Sequence, residues 1–348
     1  MPTLMRRADK IFCGTSQAAH VAYNNPECSI IGIDLSEASL AHQKYLAERH
    51  GLKNLRLERR DILDVGSLAE RFDLIICTGV LHHIEHPEDG RRVLASVLSP
   101  RGALYAMVYA YAKRAGVYLL QDFFRRLKVG QDDAGIAFVR QILRDLPAHH
   151  YARWFLPASG EQLADAELVD IFLHVQDRAY SVQEVLDLVA TAGLAFQGWN
   201  DNGLYTRDAN INPSSDLWSR LDATPEQDEW SAIDSLLLHN MRHSFVARHP
   251  SDDPPWRISF EGKNWLRYRP VAHPSLTSLN GGNFQRGQFQ FSLTPQEQRL
   301  LQAADGRASI STIVAGSGEP PALAERRELA RAFYRRMWRQ GHLFYQTG

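Results

Sequence analysis

The residues with the most chemistry in this chain are acids placed at the ends of apolar runs. Asp34 closes Ser29-Ile30-Ile31-Gly32-Ile33, and Asp61-Ile62 follows Leu55-Arg56-Leu57. A glycine turn, Cys13-Gly14-Thr15-Ser16, lies upstream of both. Thr78-Gly79-Val80-Leu81-His82-His83 follows the run from Phe72 to Cys77. A carboxylate at a strand end can accept both hydroxyl hydrogens of a ribose, and a glycine turn lets the backbone approach a ligand closely. In this order the residues describe a site for an adenosine-bearing cofactor. His83 adds an imidazole able to take a proton near neutral pH. Tyr109 and Tyr180 stand where an apolar strand ends and where the alternating pattern resumes, so they are candidates to face a substrate. Metal is not expected, because the adjacent pair His82-His83 lacks the i, i+4 spacing and the nearby carboxylate that metal sites favour.

The elements that must position these residues alternate strand and helix from residue 1 to 110, the pattern of a parallel α/β sheet. Ser36 is placed to cap the helix after Asp34, and Pro87 opens another running from Glu88 to Leu98. Pro100-Arg101-Gly102 should then turn the chain into a buried strand through Ala103 to Ala112. Right-handed crossovers put all four motif loops at the carboxyl ends of the strands, in one crevice. The alternation breaks over 111–178. There Val117–Leu127, Gly135–Leu146 and Gln162–Leu173 read as amphipathic helices of an insertion over the crevice. A capped helix from Ser181 to Ala192 and a strand Leu194–Trp199 return to the sheet, which should be complete near residue 205.

Residues 213 to 247 read as helical, and His249-Pro250-Ser251-Asp252-Asp253-Pro254-Pro255 reads as a linker. The expected domains are therefore 1–205 with the insertion 111–178, a connector 206–255, and a small α+β domain 256–348. In the last, short strands precede helices around Leu300, Ile310–Val314 and Pro321–Arg339 and a closing strand at Gly341–Tyr345. Its long helix carries Arg326, Arg327, Arg331, Arg335, Arg336 and Arg339, read as a solvated face because no aromatic residues interleave them.

Composition excludes several classes. The formal net charge is −1 with 39 basic and 40 acidic residues, so no global field points to nucleic acid or a membrane surface. No apolar run reaches the ~20 residues that span a bilayer. Three scattered cysteines, Cys13, Cys28 and Cys77, read as reduced thiols and a cytoplasmic location rather than a disulfide framework.

The first third resembles the class I S-adenosylmethionine-dependent methyltransferases. Cys13-Gly14-Thr15 is similar to the core of the family's glycine loop, Gly32-Ile33-Asp34-Leu35-Ser36 to its second motif, Asp61-Ile62 to its third and Gly79-Val80-Leu81-His82-His83 to its fourth. The resemblance implies a Rossmann-like sheet and S-adenosylmethionine as cofactor. It would place Cys13, Gly14, Thr15 and Ser16 along the methionine part, Asp34 and Leu35 at the ribose, and Asp61 and Ile62 at the adenine, with Thr78, Gly79 and Val80 completing the site. It implies transfer of a methyl group to a small molecule or a peptide. The family's asparagine-proline-proline-aromatic motif for exocyclic amines is absent after the fourth strand, which disfavours nucleic acid. The residues from Phe284 to Tyr345 resemble small winged-helix-like modules that bind leader peptides. A homodimer is compatible with all of this.

The pattern departs from the family at Lys10, near the usual acidic position, and at Phe12 and Ser16, in place of two glycines. These departures leave one alternative, a binding or scaffold protein that keeps the fold without turnover. A nicotinamide-dependent dehydrogenase would need G-x-G-x-x-G after the first strand, and Phe12-Cys13-Gly14-Thr15-Ser16-Gln17 does not supply it.

Overall fold

The computed structural model describes residues 9–13, 17–156, 163–250, 258–316 and 322–347. Gly14, Thr15 and Ser16 of the glycine loop lie outside the described residues, as does Gln162 at the expected start of the third insertion helix.

Apolar runs bounded by turns form strands β1 (Asp9–Cys13), β2 (Ser29–Asp34), β3 (Leu55–Arg59), β4 (Phe72–Thr78) and β5 (Leu98–Ala110). They pair in parallel in the order β3-β2-β1-β4-β5. Helices α1 (Gln17–Asn24), α2 (Glu37–His50) and α3 (Pro87–Val97) connect them. Strands covered on both faces lose the alternation of a half-exposed sheet, and Ile30, Ile31 and Ile33 are accordingly all buried. Ser36 caps α2 as expected, its Oγ accepting from the Ser39 N–H at 3.3 Å. The expected turn at Pro100-Arg101-Gly102 is instead part of β5, which begins at Leu98 and shifts register against β4 between Phe72 and Leu74. Gly102 permits this, because a Cβ there would press on the Phe72 carbonyl.

The chain order reverses at β1, which lies between β2 and β4. Ligands of open α/β sheets bind beyond the strand ends at such a switch point. The ends of β2 and β4 carry Asp34 and Thr78, so the topology itself brings these motifs together.

After β5 the chain enters the insertion. It holds α4 (Tyr111–Arg126), α5 (Asp133–Asp145) and a short α6 (Asp165–Leu168) that runs into a π-helical turn, Val169–Leu173. Val117, Leu120, Phe124, Val139, Leu143, Leu168 and Phe172 give it a core of its own. Strand β6 (Ala179–Tyr180) then pairs beside the end of β5, α7 (Val182–Thr191) follows, and β7 (Ala195–Trp199) returns to the sheet. A capping box holds the start of α7, with Ser181 and Glu184 exchanging hydrogen bonds.

The sheet does not end near residue 205. Strand β8 (Arg242–Arg248), read from sequence as the tail of a helical stretch, inserts antiparallel between β5 and β7. Its alternating burial, with His243, Phe245 and Ala247 inward, is short and interrupted by polar residues. That is why the helical pattern before it masked the change of period.

The chain divides into two compact units, one of Met5–Gly198 and Asp234–Pro250, the other including Trp199–Ile233 and Ser251–Gly348. The second contains α8 (Arg207–Asn210), α9 (Asp216–Asp222) and the part of α10 (Glu226–Leu237) up to Ile233. It also contains the strands β9 (Arg269–Ala272), β10 (Thr277–Ser278), β11 (Asn283–Arg286) and β12 (Phe289–Ser292). The helices α11 (Pro295–Gln302), α12 (Ile310–Gly316) and α13 (Leu323–Arg339) follow, and β13 (Leu343–Gln346) pairs antiparallel with β9. Phe333, Met337, Ile310 and Leu300 build its core. The arginines of α13 are not all a solvated face. Arg339 bonds Asp208 and Glu229, Arg336 bonds Glu297, and Arg331 bonds the Phe260 carbonyl. These contacts use the charge within the unit.

Candidate active site

One cavity of about 860 Å³ gathers the motif residues. Asp34, Leu35, Asp61, Ile62, Thr78, Gly79 and Val80 line it at one end, and His83, Tyr109, Asp170 and His174 at the other. Five chain-distant segments therefore converge, as the strand-end argument requires.

At the first end, Asp34 Oδ1 accepts the Ser36 N–H at 2.8 Å, which fixes the carboxylate at the mouth of β2. Asp61 caps the short 3₁₀ turn Ile62–Leu68, its Oδ1 accepting the Leu63 N–H at 2.9 Å. Its capping role and its place in the cavity wall coexist. Leu35 is exposed while Ile62 is buried, so together they offer an apolar lip. Thr78 Oγ1 donates to Gln17 Oε1 at 2.8 Å and ties the end of β4 to α1. Gly79 has φ +76°, a conformation that favours glycine, and a Cβ there would meet no atom of the described residues within 4 Å. Among the described residues, the space over this backbone is open. The donor set fits an adenosine: a carboxylate for the ribose, a polar and apolar wall for a base, and a bare backbone at Gly79. The stretch expected along a methionine tail, Gly14 to Ser16, is outside the described residues, and of Cys13 only the strand position is described.

At the second end, Tyr109, near the end of β5, donates its hydroxyl to Asp170 Oδ2 at 2.7 Å. His83 Nε2 lies 3.4 Å from Asp170 Oδ1, and its Nδ1 is 2.9 Å from the Gln176 carbonyl. A carbonyl only accepts, so Nδ1 carries the proton and Nε2 is the nitrogen that exchanges one. Burial lowers the His83 pKa, but its bonds to Asp170 and to the Gln176 carbonyl outweigh burial and leave it raised. Burial would raise the Asp170 pKa, yet bonds from His83 and Tyr109 hold it down at about 2, so it is a carboxylate throughout the neutral range. Burial and Asp170 together raise the Tyr109 pKa, which keeps the phenol protonated as a donor.

His82 is different from its neighbour. It is 1% exposed and lies against Tyr109, ring centroids 3.8 Å apart. Burial, reinforced by His83, pushes its pKa down to about 2, so it is a neutral packing residue. Tyr180 is 2% exposed and does not line the cavity. Its ring carries the Arg178 guanidinium at 4.9 Å, and its buried hydroxyl has no partner among the described residues. The structure thus brings His83 and Tyr109 together at Asp170 and leaves Tyr180 out of the cavity lining.

Asp170, His174 and Arg114 were not visible as site residues in the sequence; Asp177 and Arg178 read there as an ion pair with each other, but Asp177 pairs with Arg114 and Arg178 with Glu184. Asp170 and His174 sit in an insertion whose helical pattern signals packing only. The one available hint was that Asp170 and His174 are four apart, the spacing that places two side chains on one helical face.

Comparison with known proteins bears on the fold. Residues 10–135 match a family model described as a methyltransferase domain. The chain is 29% identical over 277 residues to the uncharacterized protein syc1184_c of Synechococcus, covering 76% of this chain and 64% of that protein. It is 26% identical over 145 residues to a ubiquinone biosynthesis O-methyltransferase of Coxiella burnetii, covering 41% of this chain and 56% of that enzyme. The chain thus spans under two thirds of the length of these curated relatives. PKMT2 from Rickettsia typhi superimposes with a TM-score of 0.69 at 16% identity, over 99% of this chain and 72% of that one. The same protein in complex with AdoHcy gives 0.68 at 15% identity, with the same coverage. The fold is that of the class I S-adenosylmethionine-dependent methyltransferases, with an additional C-terminal α+β region. The family match and the fold support S-adenosylmethionine as the cofactor of the domain.

Proposed function

We propose that this protein is an S-adenosylmethionine-dependent methyltransferase that acts on a small-molecule or peptide acceptor by direct displacement. One observation carries the reading. A single cavity joins the carboxylates suited to an adenosine, Asp34 and Asp61, to a polar cluster of His83, Tyr109 and Asp170 suited to an acceptor. The cofactor, when bound, supplies a methyl group activated on a sulfonium.

The chain's own residues do the rest. Asp34 accepts the ribose hydroxyls, and the bare backbone at Gly79 admits close approach. Displacement on a methyl group depends mainly on alignment, so the first task of the second end is to orient the acceptor. The Asp170 carboxylate accepts a hydrogen bond from the acceptor's O–H or N–H, and Tyr109 holds that carboxylate in place. His83 Nε2 lies within reach of the same position and takes up the proton that the acceptor releases. The insertion supplies Ala166, Glu167, Asp170 and His174 to the wall, so substrate choice resides largely there.

Calorimetric titration of the full chain with S-adenosylmethionine and its demethylated product tests the reading. We expect affinity in the micromolar range for the native chain. Asp34→Ala should weaken it by about 10- to 100-fold, the worth of one or two hydrogen bonds to a charged group. Affinity weaker than millimolar in a folded native chain would overturn the enzyme reading and leave the non-catalytic alternative.

A further inference from the structure

We propose that His83, Asp170 and His174 form a site for one divalent transition-metal ion of the zinc class, open toward the cavity. Their donor atoms all lie within 4.8 Å of one another. His83 Nε2 and Asp170 Oδ1 are 3.4 Å apart, close to the edge of about 3.3 Å between two ligands of a tetrahedral ion with bonds near 2.0–2.1 Å.

The surroundings are those of a prepared ligand set. A metal-binding histidine usually donates its other ring N–H to a carbonyl or carboxylate, which fixes the tautomer. His83 does so, with Nδ1 2.9 Å from the Gln176 carbonyl, leaving the Nε2 lone pair toward Asp170. The second oxygen of Asp170 is held by the Tyr109 hydroxyl at 2.7 Å, so both good ligands have an orienting partner. Asp170 lies in the π-helical turn Val169–Leu173 and His174 directly follows it. Four-residue spacing puts both on one face, and π turns of this kind recur at functional sites. Adjacent histidines alone made metal unexpected; the fold replaces His82 by two partners from 87 and more residues downstream.

His174 is the weakest ligand. Its Nδ1 accepts the Gln176 N–H at 3.1 Å, and its ring lies over His83 with centroids 4.0 Å apart. Coordination would exchange that partly exposed hydrogen bond, worth about 1 kcal/mol, for a bond to the ion. Two nitrogens and one carboxylate suit zinc, cobalt or manganese and not magnesium or calcium, which prefer all-oxygen sites. Three protein ligands leave at least one position toward the cavity, where an acceptor oxygen or nitrogen could bind. With an ion in place His83 Nε2 would be a ligand, so the proton uptake derived above belongs to the metal-free site and the ion would take over activation of the acceptor. That last role rests on the proposed function, whereas the site itself does not.

The test is direct metal binding to the full chain without cofactor or substrate. Cobalt(II) titration, followed by visible absorption and elemental analysis after gel filtration, should show one ion per chain with micromolar affinity. Zinc should displace it, and a large excess of magnesium should not. His83→Ala and Asp170→Ala should each weaken binding by about 10- to 100-fold, and His174→Ala by less. Should these variants fold poorly, manganese(II) added to the native chain should broaden the imidazole proton resonances of His83 and His174 before those of exposed His50 and His86. The proposal is overturned if the native chain retains no stoichiometric cobalt, if the variants bind as the native chain does, or if magnesium competes equally. Loss of metal binding with intact S-adenosylmethionine affinity would sink this site alone. The reverse would sink only the proposed function.

Discussion

The ion pair between Arg114 and Asp177 should be costly to break and cheap to replace. The two side chains are 2% and 1% exposed, with the guanidinium NH2 2.7 Å from Oδ2. Gln121 Nε2 donates to the same oxygen at 2.8 Å, and the Arg114 Cζ sits 3.7 Å over the Tyr109 ring. Yet among the described residues Arg114 Nε and Asp177 Oδ1 have no partner. A pair this buried and this incompletely satisfied has offset much of its attraction by desolvation. Arg114→Met leaves a buried carboxylate with one neutral donor, and the expected loss is about 3–5 kcal/mol. Asp177→Leu leaves a buried guanidinium and should cost a similar amount. The double variant removes both charges and should return to within about 1–2 kcal/mol of the native chain, so the coupling between the sites is about 3 kcal/mol or more. Urea unfolding followed by circular dichroism measures this. With m near 2–3 kcal/mol/M, each single variant lowers the midpoint by about 1–2 M. Single losses under about 1 kcal/mol, or losses that simply add in the double variant, would refute the argument.

Four further outcomes are expected. Gly116→Ala places a Cβ onto the backbone of Tyr151 and Ala152, so it should cost about 1–3 kcal/mol and speed hydrogen exchange along α4. Gly66→Ala, whose Cβ meets nothing within 4 Å, should be nearly neutral in the same assay. Ser181→Ala removes one half of the capping box at α7 and should lower stability by about 1 kcal/mol in urea unfolding, while Gln183→Ala should not. Burial, reinforced by Arg286, holds the His342 pKa down at about 3, so the unfolded chain binds its proton first on acidification. Stability from this group is complete above about pH 6.5 and declines by up to about 1.4 kcal/mol per pH unit toward pH 3. Denaturation midpoints at pH 7 and pH 5 in the native chain and in His342→Gln check it: the slope should flatten in the variant.

Local rules were sufficient for the first part of the chain. Apolar runs ended by acids and glycines located β2, β3 and β4 and placed Asp34, Asp61 and Gly79 at or just past their ends, because strand boundaries and turns are short-range properties. The same rules read Ser36 and Ser181 as caps, since a cap is made by residues three apart. They failed where a short polar strand followed a helical stretch. Nothing local in Arg242–Arg248 announces that it will pair between β5 and β7, because that pairing is supplied by a strand more than a hundred residues earlier.

The site divides along the same line. The sequence by itself determined the end proposed to face a cofactor, because every residue there sits at or just past the terminus of its own strand and the crossover rule sends all such termini to one crevice. It determined His83 and Tyr109 as candidates for the same reason. Only the tertiary structure separated His83 from His82, burying one ring behind Tyr109 and leaving the other beside Asp170. Only the tertiary structure brought Asp170 and His174 to that position, since an amphipathic helix reports which face is buried and not against what. The charge that surrounds His83 comes from a segment nearly ninety residues away, and no pattern of neighbours in the chain can encode a neighbour in space.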